Sequence, residues 1–207
     1  MADIAVLGAT GRTGRLVVDR ASARGHRVTA IVRPTSTAAA VPGSTVVTAD
    51  PGVPGALTGL LDGHAAVISA LGATGRGPTS VYSAATAEII TAMPPGGRLL
   101  VISSAGLDIP ADAGPGTRLL AVVLRRIMRH TYSDMARMEY LLAQSELCWT
   151  AVRPTGLTDA PATGGPRISP GANAKVGHRT SRAVLADYLL DAIDDPRTYR
   201  SVVAISS

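Results

Sequence analysis

The 207-residue chain has no phenylalanine, one tryptophan, one cysteine and, among 20 basic residues, a single lysine, Lys175. Each scarcity excludes something. A lone Cys148 cannot build an intramolecular disulfide framework and fits a reducing compartment; a buried place within "LCWTAV" is its expected role. Aromatic residues at 3% offer few platforms for stacking bases, so the net charge of +5 does not imply a nucleic-acid partner. The densest basic run, "RRIMRH" at 125–130, closes a helix-like segment, where cations complement the negative end of the dipole. No apolar stretch approaches the roughly 20 residues of a membrane span. The opening "MADIAVLG" enters a strand pattern at once, without the layout of a signal peptide. A cytoplasmic protein is expected, with no membrane or nucleic-acid partner and no metal site.

Apolar residues at 46% and charged residues at 17% describe a folded chain of one-domain size. Strand patterns at 3–7, 27–32, 44–48, 65–70, 98–103, 149–153 and 201–205 alternate with helix-like stretches. The latter fall near 12–24, 54–62, 80–93, 117–129, 133–145 and 181–194. The strands are mostly unbroken apolar runs, as expected when both faces are covered. Such alternation predicts a single α/β domain over 1–207. It is a Rossmann-like, doubly wound parallel sheet with helices on both faces and ligands at the carboxyl ends of its strands. Two long segments at such ends, 104–117 and 155–180, are expected to be substrate loops. "LGATGR" occurs at both 7–12 and 71–76 with nothing repeated around it, which reads as coincidence.

"VLGATGRTGRLVV" (6–18) sets Gly8, Gly11 and Gly14 three apart between a strand and a helix. Gly8 allows the turn, Gly11 lets the backbone approach a diphosphate, and Gly14 lets the helix pack closely. In a strand–helix–strand unit this spacing indicates a dinucleotide site. An NAD site puts an acid near the end of the second strand, but no Asp or Glu lies between Asp19 and Asp50. Arg33, Thr35 and Ser36 stand there instead, and a guanidinium beside small hydroxyls suits a 2′-phosphate. NADP(H) is therefore the expected cofactor, with Arg12 as a second cation. Thr10, Thr13, Asp50, Leu71, Gly72 and Ser103 complete the expected nucleotide-binding set. Thr74, Arg76 and Thr79 are placed near the nicotinamide ribose and phosphates.

"GATGRTG" with "VRP", "SSAG", "MARMEYLLAQSELCWTAVRPTGLTD" and "TSRAVLADYLLDAI" resembles the atypical short-chain dehydrogenase/reductases over nearly the full length. Within them it is similar to the NAD(P)H-binding set that includes biliverdin-IX-beta (flavin) reductases; NmrA-like proteins share the fold this resemblance implies. The wider superfamily uses a Tyr-x-x-x-Lys pair. Four residues beyond Tyr82, Tyr132, Tyr140, Tyr188 and Tyr199 come Thr86, Ala136, Gln144, Ala192 and Val203, so no pair exists here. The resemblance implies a serine at Ser104 and a histidine where this chain has Met135. Met135 shares a helix face with Met138 and Leu142 and reads as core or pocket wall. Ser104 and Tyr132 are the expected catalytic residues, with His130 a further possible proton donor.

A good nucleotide site beside a sparse acid/base set suits an acceptor that takes hydride into a delocalised ring, such as a flavin, quinone or tetrapyrrole. A ketone would need a proton donor in its transition state. The expected activity is NADPH-dependent reduction of such a small-molecule acceptor by a monomer or weak homodimer. The alternatives are a non-catalytic NADP-binding regulator of NmrA type and a tailoring reductase or isomerase of secondary metabolism.

Overall fold

The computed structural model describes residues 1–36, 40–109, 114–161, 165–171 and 176–207. Lys175 and parts of both long loops lie outside the described residues. The strands are β1 (Asp3–Leu7), β2 (Arg27–Val32), β3 (Thr45–Thr48), β4 (Ala66–Ser69), β5 (Arg98–Ile102), β6 (Cys148–Pro154), β7 (Gly156–Thr158), β8 (Arg167–Pro170), β9 (Arg179–Ser181) and β10 (Ser201–Ser206). The α-helices are α1 (Arg12–Ala23), α2 (Val81–Ala92), α3 (Pro115–Ile127), α4 (Arg129–Gln144) and α5 (Arg182–Asp191).

The main sheet has the order β3-β2-β1-β4-β5-β6-β10-β8. Its pairs are parallel except the last, where β8 runs antiparallel to β10. The chain reverses direction of travel between β1 and β4, which opens a crevice at their carboxyl ends. Alternation along β1 sends Ile4 and Val6 into a core with α1 and α5. Ala5 and Leu7 go into a second core with α2 and α4. Both faces of the central strands are thus buried, which explains their unbroken apolar sequences.

Four expectations need correction. The 54–62 stretch is a chain of turns, not a helix: Gly55 and Gly59 adopt φ of +81° and +73°, outside right-handed helical space. Buried Glu88 of α2 holds it by accepting the N–H groups of Gly55 and Leu57, each at 2.9 Å. The two long loops are partly ordered, since β7 pairs with β9 and β8 extends the main sheet. "RRIMRH" spans a helix junction: Arg125 and Arg126 end α3, while Arg129 and His130 begin α4. Cys148 is half-buried at the start of β6, because its strand emerges there at the amino edge of the sheet.

Candidate functional site: the crevice between β1 and β4

The turn after β1 is dictated by its glycines. Gly8 has φ +76°, and a Cβ there would lie 2.6 Å from the Ala70 carbonyl oxygen of the neighbouring strand end. A Cβ on Gly14 would lie 2.1 Å from the Gly8 oxygen, so α1 can seat itself only without one. Gly11 differs: its missing Cβ would meet only the Gly8 oxygen, at 3.2 Å. Protein packing demands Gly8 and Gly14, whereas most of the space beside Gly11 is left for something else. Gly11 is the N-cap of α1 and brings no side-chain cap, and the first turn holds no acid. The amino end of a 12-residue helix therefore presents uncapped N–H groups and a positive dipole end, a fit for a diphosphate.

These residues border a cleft of about 580 Å³. One wall is Gly8, Thr10, Gly11, Arg12 and Thr13 from the glycine turn. Arg33, Thr35 and Ser36 line it from the end of β2, and Leu71, Gly72, Ala73 and Thr74 from the end of β4. Ser103, Met135, Tyr82 and Leu157 line it further along. Thus both copies of "LGATGR" reach one cleft, through adjacent strand ends. Arg33 is exposed and makes no ion pair among the described residues. Gly14 serves packing outside the lining. Asp50 is not in the lining either: its Oδ1 accepts the Gly52 N–H at 2.9 Å, and its neighbour Pro51 faces the cleft instead. Arg76 and Thr79 are likewise absent from the lining.

Arg12 is already engaged. Its guanidinium meets Asp159 at 3.0 Å, and the other Asp159 oxygen meets Arg182 of α5 at 2.7 Å. Arg182 is buried and lines the cleft. Nothing in the sequence singled out Arg182 or Asp159, because their meeting with Arg12 depends on the return of the chain after β6. Tyr82 was also missed, having been considered only for a lysine partner. Its phenol oxygen accepts the Ala73 N–H at 3.1 Å, pinning the β4 turn to α2. Burial raises the Tyr82 pKa and keeps the phenol neutral.

Ser104 and Tyr132 line an adjacent cavity of about 450 Å³ together with Leu124, Met128, Arg153 and His178. Consecutive residues Ser103 and Ser104 therefore face different spaces. The Ser104 hydroxyl accepts the Gly106 N–H at 3.1 Å, capping a short 3-10 turn over Ala105–Leu107. The Tyr132 phenol packs against Gly106, where a Cβ would come within 2.3 Å of its oxygen. His130 lines neither space; its Nε2 accepts from Arg129 at 3.2 Å.

A polar chain connects the two spaces. Ser103 donates to Glu139 at 2.6 Å, Glu139 takes a two-pronged ion pair from Arg153 at 2.9 and 2.6 Å, and Arg153 also binds Asp108. Burial opposes the Arg153 charge, but the Glu139 and Asp108 contacts outweigh it and raise its pKa. Met135 occupies the cleft wall one residue after Asp134. That carboxylate is buried and accepts from the Tyr82 N–H at 2.9 Å and from the Ser83 hydroxyl, capping α2 from a different helix. Asp134 thus serves architecture.

The model of the NAD(P)H-binding family matches residues 8–196. Among solved structures, the chain is similar to a candidate NADH-flavin reductase of Streptococcus pneumoniae, at 24% identity and TM-score 0.77 over 100% of both chains. It is also similar to a short-chain dehydrogenase/reductase of Veillonella parvula in complex with NADP. That match has 18% identity and TM-score 0.77 and covers 100% of this chain and 94% of the other. A Rossmann-fold NAD(P)-binding family protein of Shigella flexneri matches at 20% identity and TM-score 0.71, over 100% and 94%. At these identities the likeness establishes a shared fold.

Proposed function

This chain belongs to the NAD(P)H-binding family, and we propose that it is an NADPH-dependent reductase of a conjugated acceptor such as a flavin, quinone or tetrapyrrole. One observation carries the cofactor choice: Arg33, without an ion pair among the described residues, shares the cleft rim with Thr35 and Ser36, and no Asp or Glu is among the residues that line the cleft. In this reading the N–H groups at the start of α1 hold the diphosphate, and Arg33 holds the 2′-phosphate. Leu71, Gly72 and Ser103 border the path toward the reacting ring. NADPH, when bound, supplies the hydride. The chain positions the acceptor in the cavity of Ser104 and Tyr132 and keeps water away with Leu124 and Met128. Tyr132 is the group placed to give a proton there, since Met135 carries none. Among the similar structures one is named for NADH-dependent flavin reduction and another holds NADP, which supports hydride transfer as the class of activity.

A second reading, a non-catalytic NADP-binding regulator, draws on two observations. Met135 puts a thioether in the cleft wall, and the Ser104 hydroxyl is already used as a cap. Fluorescence titration with NADPH and NADH tests the cofactor assignment. NADPH should bind about ten- to a hundredfold more tightly, from a charge-assisted contact of about 1.5–3 kcal/mol, and Arg33→Ala should erase the difference. Equal affinities in the parent protein would overturn it. NADPH oxidation with flavins, quinones and linear tetrapyrroles then separates reductase from regulator, which would bind NADPH and turn over none.

A further inference from the structure

Arg182 begins α5 as Arg12 begins α1, and the two helices pack together. Both arginines line the cleft at the glycine turn, and no Asp or Glu is among the lining residues. Neither helix has an acid in its first turn. The cleft end of this helix pair therefore gathers two guanidinium groups and two positive dipole ends. The far end is balanced within the pair itself, since Asp187 and Asp191 of α5 meet Arg20 and Arg24. At the cleft end the balancing carboxylate comes from outside the pair. It is Asp159, on the segment after β7, which meets Arg182 at 2.7 Å and Arg12 at 3.0 Å with its own side chain 62% exposed.

The other buried guanidinium groups are better surrounded. Arg98 donates to carbonyls and hydroxyls on several segments, and Arg153 is held by two carboxylates. Arg182 is only 8% exposed, yet Asp159 is its one hydrogen-bond acceptor among the described residues. A guanidinium has donors to spare in that position. A buried cation in the wall of an acid-free cleft, held by a single exposed carboxylate, is arranged to change partners.

We propose that Arg182 is a phosphate-binding residue. With Arg12 it takes the diphosphate of the bound dinucleotide, and Asp159 is the anion that holds both arginines until the diphosphate replaces it. A carboxylate bridging two guanidinium groups makes the charge-assisted bonds that a diphosphate makes. A diphosphate at the start of α1 also meets Asp159 as a like charge, so the two compete for the same cations. The exchange leaves the segment in place: Ser181 donates its hydroxyl to the Ala160 carbonyl at 2.8 Å, and β7 pairs with β9. The inference rests on the diphosphate lying at the start of α1; it needs neither the NADPH preference nor turnover.

Titration of the whole protein with three probes tests it: NADPH and NADH, which carry the diphosphate, and adenosine 2′-monophosphate, which does not. Arg182→Gln should weaken both dinucleotides by the same factor, about tenfold or more, and leave adenosine 2′-monophosphate unchanged. Asp159→Asn should act in the opposite direction, tightening both dinucleotides about three- to tenfold as the competing charge is removed. A bridge that merely positions the arginines predicts weaker binding instead. Melting midpoints give a second readout: Asp159→Asn should gain more stability than the parent when NADH is added. Unchanged or weaker dinucleotide binding in Asp159→Asn overturns the proposal. So does unchanged dinucleotide binding in Arg182→Gln, or an equal loss of adenosine 2′-monophosphate. If Arg182→Gln does not fold, Asp159→Asn decides alone, since that side chain is exposed. Equal affinity of the parent for NADPH and NADH would overturn only the cofactor choice made above, because NADH still reports on Arg182.

Discussion

Arg98 and Arg153 are buried on adjacent strands, β5 and β6, at opposite edges of the sheet, and they are satisfied by different chemistry. Arg98, at the amino edge, donates to neutral acceptors: the carbonyls of Ile193, Ala192 and Cys148 and the hydroxyls of Thr150 and Thr198. The Tyr199 ring covers it at 4.5 Å. Burial lowers its pKa, partly offset by neighbours including Tyr199, though a guanidinium stays charged throughout the working range. Arg153, toward the carboxyl edge, is held by two carboxylates, and its pKa is raised. The amino edge is closed by backbone carbonyls that tie strands to the connection before β10. The carboxyl edge keeps a charged chain running from the cleft beside the glycine turn to the neighbouring cavity. A parallel sheet places ligands at that second edge, so its polar groups must serve binding as well as stability.

Arg98→Leu should be the most damaging test of this contrast. It strands several buried carbonyls and hydroxyls, each costing about 1–3 kcal/mol, and should destabilise the fold by about 5 kcal/mol in denaturant melts. Any fraction that folds should bind NADPH normally. Weakened nucleotide affinity in that fraction would break the assignment of the amino edge to stability alone.

Glu139→Ala should cost less, about 3 kcal/mol, at the low end for breaking a buried pair because Asp108 still partners Arg153. It should also weaken NADPH binding, since the Ser103 hydroxyl loses its acceptor at the cleft wall. A Glu139 variant with lowered stability and unchanged affinity, in paired melts and titrations, would make the two edges equivalent.

The smallest effects are expected at the cavity itself. Ser104→Ala and Tyr132→Phe should each lower turnover of a flavin-like acceptor by about tenfold or less, about 1.4 kcal/mol, because orientation supplies most of the rate. Steady-state rates at saturating NADPH check this. A loss of a hundredfold or more in Tyr132→Phe would identify a carbonyl substrate that requires a proton donor.

The sheet was legible because its signals are local. Apolar runs four to six residues long announced the strands of the central sheet, and glycine spacing announced the turn after β1. The 54–62 stretch was misread because its apolar periodicity is helical while Gly55 and Gly59 take left-handed backbone. A resemblance to a reductase group drew attention to Ser104 and Met135. The structure adds that Ser104 caps a turn while Met135 lines the cleft.

The sequence by itself determined the alternation of strands and helices, the glycine turn and the arginine after β2, since each depends on residues close together in the chain. Tertiary structure alone decided the partners of the charges. Arg12 meets Asp159 across 147 positions, and Ser103 meets Glu139 across 36. Asp134 caps a helix 51 and 52 positions earlier. No local pattern encodes such meetings: a side chain cut off from water takes whichever donor or acceptor the packing of distant segments brings within reach.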